Sequence, residues 1–214
     1  MLTRRNWIAL VALGFAGQLA WGVENQFFNT FVYDRITPDP RPISWMVAAS
    51  AITATITSIL MGALSDRTRG RWGRRRPYIF FGYIAWGIAT AAFPSAALLS
   101  PVGLAVTVAI LFDSLMTFFG STANDAALNA FVADVTTDQN RGRVVGTMQI
   151  MTWVATLIVY GGAGLLIQSL GYPAFFYLIG GVVLLIGVIG GGMIREPNAP
   201  DAVKGSYWDH VADT

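Results

Sequence analysis

Carboxyl and amide side chains interrupt the long apolar stretches of this 214-residue chain, and they define the chemistry available to it. Glu24 and Asp125 are acids inside such stretches, with Asn25 beside the first and Asn129 one helical turn after the second. A carboxylate at membrane depth costs at least ~2.5 kcal/mol by insertion scales, so its presence needs a reason. A buried acid can carry a proton, and an amide can bind a polar solute. These four residues are therefore candidate binding groups.

Further polar residues recur at helical spacing, and they do so in the first, second, fourth and fifth apolar stretches. They are Gln18, Asn25 and Asn29; Ser50, Thr53 and Thr57; Thr117, Ser121, Asn124, Asp125 and Asn129; and Gln149, Thr152, Thr156 and Tyr160. The third and sixth stretches are almost without polar residues. We expect four helices to line a cavity and two to pack outside it. The alternative, that hydroxyl groups only bond their own backbone, is favoured for Thr53, Thr57 and Thr152 taken alone.

Position along the helices ranks the acids. Asp125 lies nine residues before Asp134, where we place the membrane surface. At 1.5 Å per residue it is about 13 Å deep, close to the midplane of a ~30 Å core. Glu24 falls in the half of the membrane opposite to Asp134, toward the outer surface. Asp113 is nearer to that outer surface, so it ranks third. For Asp125 the alternative to a functional role is an interhelical hydrogen bond.

Two tryptophans lie within the polar stripes. Trp21 stands between the polar faces of the first stretch, and Trp153 stands between Thr152 and Thr156 in the fifth stretch. Indole rings in a polar cavity stack on sugar faces, which is one interpretation of these two residues. Ordinary packing between helices is an equally good interpretation. With the acids and amides, the candidate substrate and proton site comprises Trp21, Glu24, Asn25, Asp125, Asn129, Gln149 and Trp153.

The elements that must hold these groups are membrane helices. The chain is 54% hydrophobic and 12% charged, whereas a soluble domain carries about 25% charge. Six segments exceed the ~20 residues needed to cross a bilayer. They are Trp7–Tyr33, Ile43–Leu64, Pro77–Leu98, Val102–Ala133, Val144–Gln168 and Tyr172–Ile194. The predicted fold is an all-α bundle of six transmembrane helices over residues 1–194, followed at 195–214 by the start of a cytoplasmic linker or tail.

Arginines cluster in one loop between the second and third segments. Six of them fall within residues 67–76, the arginine loop: Arg67, Arg69, Arg71, Arg74, Arg75 and Arg76. Of the 14 basic residues in the chain, only Arg35 and Arg41 belong to the opposite face of the predicted bundle. The positive-inside rule then places both termini in the cytoplasm.

Several classes of function are excluded by what the sequence lacks. There is no cysteine, and the single histidine, His210, stands in the tail, so thiol chemistry and histidine-based triads in the membrane are ruled out. We predict no enzyme, no cofactor and no metal site. The net charge of +2 gives no reason to expect nucleic acid as a partner.

A family resemblance rests on two motifs. The first is Gly62, Asp66 and Arg67 followed by Arg71-Trp-Gly-Arg-Arg-Arg-Pro77, and the second is Asp125 followed by Ala133-Asp134 and Arg141-Gly142. On these residues the chain resembles the amino-terminal half of a major facilitator superfamily transporter. More narrowly, it is similar to the glycoside–pentoside–hexuronide:cation symporters and the related proton-coupled sucrose carriers. The resemblance covers all six segments.

This resemblance implies twelve helices in two halves, with substrate bound between them near the midplane. It gives Asp125 the role of the helix-four acid that takes part in cation or sugar binding. It assigns to a cytoplasmic gate the residues Gly62, Asp66, Arg67, Arg71, Gly73, Arg74 and Arg75. Proton coupling is favoured over sodium, because Ala54 and Ser58 stand where sodium-coupled members carry two aspartates.

The leading hypothesis is a secondary transporter, or its amino-terminal half, in a cell membrane. It would move a sugar or glycoside by proton-coupled symport with alternating access. The same fold carrying a lipid-like or drug-like substrate is the nearest alternative. A non-transporting membrane sensor or assembly partner is a third, in which the membrane acids would be dispensable. The expected partners are the bilayer, a small-molecule substrate and a second six-helix half, from the same chain or from a dimer.

Overall fold

A computed structural model describes residues 2–196, and helices make up most of them. Five helices in this range are long and apolar enough to cross a membrane. They are α1 (Arg4–Arg35), α2 (Pro40–Arg67), α3 (Arg76–Leu98), α4 (Val102–Val135) and α5 (Asp138–Met193). Between residues 2 and 196 there is no strand. The described part of the chain is therefore all-α, and its long apolar helices are suited to crossing a membrane several times. Most of the predicted tail, residues 197–214, lies outside the described residues.

The helices begin where local chemistry supplies a cap. The hydroxyl of Thr3 accepts a hydrogen bond from the backbone N–H of Asn6 (3.2 Å) at the start of α1. The carboxylate of Asp39 accepts one from the backbone N–H of Arg41 (3.0 Å), and Pro40 opens α2. Each cap satisfies a backbone N–H that has no partner within its own helix, so these short polar residues fix the first turns.

The fifth helix is bent at Gly171, where φ is 80° and ψ is 164°. Its first arm, residues 138–170, runs beside α1 in the same direction. A Cβ atom added at Gly14 would lie 3.3 Å from Met148, and one added at Gly22 would lie 3.3 Å from Val159. The small residues of α1 therefore let the first arm approach closely along its length.

The second arm of α5, residues 172–193, returns along α1 in the opposite direction. The hydroxyl of Tyr172 donates to the carboxylate of Asp34 (2.6 Å) near the end of α1. Beyond the arm, the backbone N–H of Arg195 donates to the side chain of Asn6 (3.0 Å) near the start of α1. The 56 residues of α5 thus form an antiparallel pair of arms. The five continuous helices leave the predicted number of six membrane crossings untested.

Glycines bring α3 and the second arm of α5 to backbone contact. A Cβ atom at Gly87 would lie 2.6 Å from the carbonyl oxygen of Gly180, and one at Gly180 would lie 2.5 Å from that of Gly87. Separations below 3.0 Å are too short for a real Cβ atom. These two elements correspond to the third and sixth apolar segments of the sequence, and close packing explains why they need few polar residues.

Two stretches of wider, π-helical turns interrupt the membrane helices. Glu24–Phe28 lies within α1, and Ser121–Leu128 lies within α4. Each contains one of the two acids singled out in the sequence, Glu24 and Asp125. Single π turns inside α-helices occur frequently at functional sites, so both acids are candidate members of a site.

Candidate functional site

Three polar helices converge on a cleft of about 200 Å³. Helices α1, α2 and α4 contribute its walls, whereas neither arm of α5 lines it. The lining residues are Trp21, Glu24, Asn25, Asn29, Val47, Ser50, Ala51, Ala54, Asp113 and Thr117. Among these described lining residues two are acidic and none is basic. The cleft therefore offers carboxyl, amide and hydroxyl groups beside one indole ring.

Glu24 is held at the wall of this cleft by the π-helical part of α1. The residue is only 7% exposed. Its Oε1 atom accepts a hydrogen bond from the hydroxyl of Thr117 on α4 (2.6 Å). Its Oε2 atom is buried and has no hydrogen-bond partner within residues 2–196. Because a buried polar atom without a partner is costly, this oxygen is poised to bind a proton or a ligand donor.

Asp113 is the second acid of the cleft and is 3% exposed. Its carboxylate accepts a hydrogen bond from the hydroxyl of Ser50, which joins α4 to α2. The sequence ranks this acid third because of its position near the end of a segment. A signal was nonetheless present: Thr117 follows Asp113 by one helical turn, so the two share a face of α4.

Asp125 belongs to a different polar cluster. Its carboxylate accepts a hydrogen bond from the side chain of Asn124 (2.9 Å) and is half-buried. The amide oxygen of Asn124 in turn lies 2.9 Å from the hydroxyl of Tyr83, which is fully buried on α3. Asn129 is exposed and donates to the backbone carbonyl of Asp125 (3.1 Å). This cluster ties α4 to α3. Asp125 does not line the cleft, but it lies close to the side chain of Trp21, which does.

The aromatic and amide candidates divide in the same way. Trp21 lines the cleft and packs against Trp86, with 5.0 Å between ring centroids. Trp153 is 62% exposed, and Gln149 is exposed as well. The structure therefore brings together Trp21, Glu24 and Asn25 from the predicted set. Asp125, Asn129, Gln149 and Trp153 are not among the residues that line the cleft.

The arginine loop forms a network at one end of the bundle, centred on Arg75. This residue is 5% exposed, and its guanidinium forms an ion pair with Asp66. It also donates to the hydroxyl of Ser65 (2.6 Å) and to Asp134 at the end of α4 (3.3 Å). Arg75 thereby connects the end of α2, the start of α3 and the end of α4.

Arg74 adds a second pair to this network. Its guanidinium lies 2.8 Å from the carboxylate of Asp134, and that hydrogen bond raises the pKa of Arg74. The other predicted gate residues make fewer contacts: Arg67 and Arg71 are exposed, and a Cβ atom at Gly62 would meet nothing within 4 Å. The ion-paired part of the predicted gate is therefore Asp66, Arg74 and Arg75.

Glu196 is a member of this network that the sequence does not reveal. Its carboxylate accepts hydrogen bonds from the backbone N–H groups of Arg74, Arg75 and Arg76, each 2.6 Å long. It lies at the beginning of α3, where a negative charge is stabilised by the helix dipole. At Gly73 φ is 96°, and a Cβ atom there would lie 2.6 Å from the Glu196 carboxyl carbon. Glycine is therefore needed both for backbone conformation and for space.

Membrane-crossing helices around a polar cleft, with an ion-pair network at one end, are the architecture of a membrane transport protein. The model of the Major Facilitator Superfamily matches residues 6–212, and the chain belongs to this superfamily. The superfamily predicted from the loop motif is thus confirmed, and its members are transporters rather than enzymes.

One curated relative resembles part of the chain. It is the Inner membrane symporter YicJ of Escherichia coli (strain K12), to which the chain is 37% identical over 78 residues. The matched region covers 36% of this chain and 16% of that protein. The similarity therefore extends over a small part of the relative's length.

Proposed function

We propose that this chain forms the amino-terminal half of a proton-coupled symporter for a polar, uncharged solute of the sugar or glycoside class. The observation that carries the proposal is the cleft, where two buried acids face two amides, two hydroxyl groups and an indole ring. Amides and hydroxyls match the hydroxyl groups of a sugar, and the ring of Trp21 offers a stacking surface. Symport is also supported by the relative named a symporter.

Glu24 and Asp113 are the proposed proton carriers, and Asp125 is kept as a further candidate. The first two acids are bonded only to hydroxyl groups, Thr117 and Ser50. Neither has an ion-pair partner among residues 2–196, so a proton can neutralise them without breaking a salt bridge. Sodium is the less favoured coupling ion, because Ala54 lines the cleft where an added carboxylate would be expected.

The proposed membrane arrangement has six crossings. The 56 residues of α5 would measure about 84 Å as one straight helix, far more than the ~30 Å core, and its two arms run antiparallel. Each arm then crosses once. The arginine loop, the start of α1 and the residues after α5 share one end of the bundle, which the positive-inside rule assigns to the cytoplasm. The proposed location is the inner or plasma membrane.

A second half is required by alternating access, in which one bundle rocks against another around a central site. Helix α2 is the most available to contact this second half, because only 6% of its most apolar 18-residue stretch is buried. Trp45 on α2 is 70% exposed. We propose that the second six-helix bundle comes from the same polypeptide or from a dimer, and that it closes the cleft.

Uptake into proteoliposomes that contain the complete transporter, with this chain and its second half together, tests the proposal. Labelled mono- and disaccharides and glycosides are screened by counterflow, and the solute found is then accumulated against its gradient with an imposed pH difference. Glu24→Gln should abolish uphill accumulation while exchange persists, because the new amide oxygen can still accept the Thr117 hydrogen bond but the side chain cannot carry a proton. Asp113→Asn is tested in parallel.

Asp138→Asn is the matched control, since the Asp138 side chain is fully exposed in the first turn of α5. It makes the same change from carboxyl to amide and should leave accumulation intact. Full uphill uptake by both cleft variants would refute proton coupling at this site. Absence of counterflow for every sugar and glycoside would refute the proposed solute class.

A further inference from the structure

A second cavity, of about 300 Å³, lies at the same end of the bundle as the arginine loop. It separates the first turn of α1 from the first turns of α5. Arg4 and Trp7 line it from α1, and Asn140 and Arg143 line it from α5. The cavity is remote from Glu24 and Asp113, and no residue is shared between the two linings.

The charge of this cavity is uncompensated within the described part of the chain. Both Arg4 and Arg143 are exposed, and neither forms an ion pair with a carboxylate of residues 2–196. In contrast, Arg74, Arg75 and Arg141 each lie within 4.0 Å of an acid. Two positive groups on neighbouring helices thus face one space with donors free for an anion.

The walls of the cavity are partly apolar. They therefore favour an anion that carries an apolar part over a free inorganic anion. Leu2 and Val144 line it, and Val144 is 1% exposed. The guanidinium of Arg143 lies 5.9 Å from the ring centroid of Trp7, which holds both side chains at the rim. Tryptophan is enriched at membrane interfaces because its ring is apolar and its N–H is polar. A phosphate attached to acyl chains satisfies both parts of such a wall.

We propose that this cavity binds the phosphodiester headgroup of an anionic phospholipid, with Arg4 and Arg143 on the phosphate and the acyl chains running along the apolar wall. Basic pockets between transmembrane helices bind such headgroups in other membrane proteins. The site is independent of the transported solute and of the coupling ion. A bound lipid would join the start of α1 to the start of α5.

Lipid titration of the purified chain in neutral detergent tests this site. Thermal unfolding is followed as phosphatidylglycerol is added, with phosphatidylcholine, a zwitterionic lipid of zero net charge, as the comparison. At roughly 1 kcal/mol for each basic residue near an anionic surface, Arg4→Gln with Arg143→Gln should weaken the apparent affinity for phosphatidylglycerol roughly thirtyfold. The matched control is Arg69→Gln with Arg71→Gln, an equal loss of charge in the arginine loop outside this cavity.

Each outcome of the titration decides the matter. Loss of affinity in the cavity variant but not in the loop variant, with phosphatidylcholine unchanged, supports the site. Equal loss in both variants would mean diffuse attraction to a basic surface and would overturn it. Inorganic phosphate or glycerol 3-phosphate stabilising the protein as well as the lipid would overturn the lipid as occupant. Should the glutamine pair unfold, Arg4→Lys with Arg143→Lys must retain phosphatidylglycerol binding, and failure to do so with a folded protein would contradict charge recognition.

Discussion

The carboxylate of Glu196 should hold the ion-pair network of the arginine loop closed, and Glu196→Gln is the perturbation that tests this. The wild-type carboxylate receives three backbone N–H groups at the start of α3: Oε1 accepts from Arg75 and Arg76, and Oε2 accepts from Arg74. A glutamine can keep the two bonds at one oxygen, but its NH₂ group then faces the third N–H. The change therefore removes one charge and one hydrogen bond while preserving shape.

The magnitude follows from those two losses. Hydrogen bonds to charged groups contribute about 1.5–3 kcal/mol, and a charge at a partly buried helix end contributes up to ~2 kcal/mol. Because Glu196 is half-buried and two of its bonds survive, we expect the network to lose about 2 kcal/mol in total. That loss corresponds to a roughly thirtyfold increase in the equilibrium constant for opening.

Cysteine labelling measures the opening directly, since the chain has no cysteine of its own. Ser65 is 0% exposed and lies under the guanidinium of Arg75, so a cysteine introduced by Ser65→Cys reacts with a maleimide only when the loop separates. In this background Glu196→Gln should be labelled many times faster than the parent. Asp138→Asn, which alters an exposed carboxylate, should match the parent. If Glu196→Gln and Asp138→Asn label at the same rate, the carboxylate does not hold the network and the reasoning fails.

Two further predictions concern packing and burial. Gly180→Ala should destabilise the protein by about 1–3 kcal/mol, because its Cβ atom would lie 2.5 Å from the Gly87 carbonyl oxygen. In contrast, a Cβ atom at Gly181 would meet nothing within 4 Å, so Gly181→Ala should be tolerated. Thermal unfolding in detergent compares the two variants, and equal melting temperatures would contradict the close contact. Ser50→Ala should lower the free energy of unfolding by about 1–3 kcal/mol, because it removes the hydroxyl that donates to the buried Asp113 carboxylate. Thermal unfolding in detergent checks this as well, and an unchanged melting temperature would contradict that hydrogen bond.

Much of the fold could be predicted because hydropathy and charge act over whole segments. Long apolar stretches separated by basic loops have few alternatives to membrane helices, and the superfamily indicated by the loop motif is confirmed. The pairing of α3 with the second arm of α5 is also consistent with their lack of polar stripes. The reversal of the chain at Gly171 agrees with the break expected between the fifth and sixth segments, although the number of crossings stays a prediction.

The make-up of the cleft was harder to predict, because it depends on which way each side chain points. Asp113 and Asp125 are twelve residues apart, which at 3.6 residues per turn places them about 120° apart around α4. One helix face cannot present both, and the wider turns of Ser121–Leu128 alter the register further. A stripe that included Thr117 and Asp125 was therefore too broad to identify a single lining surface.

Glu196 could not be found from sequence for a different reason. Its partners are backbone N–H groups, which every residue except proline possesses, so no residue type marks them. In the sequence, Gly73 and the basic residues around it do not indicate that an acid more than 100 residues later would bind there. The positive φ of Gly73 is visible only in the structure.

The glycine contact between α3 and the second arm of α5 has a consequence for how the protein is made. Gly87 is translated long before Gly180, so α3 cannot make this contact until the second arm of α5 has followed it. The capping acid of α3 is translated later still. The pairing of α3 with the second arm of α5 can therefore form only after nearly all of the described chain has been made.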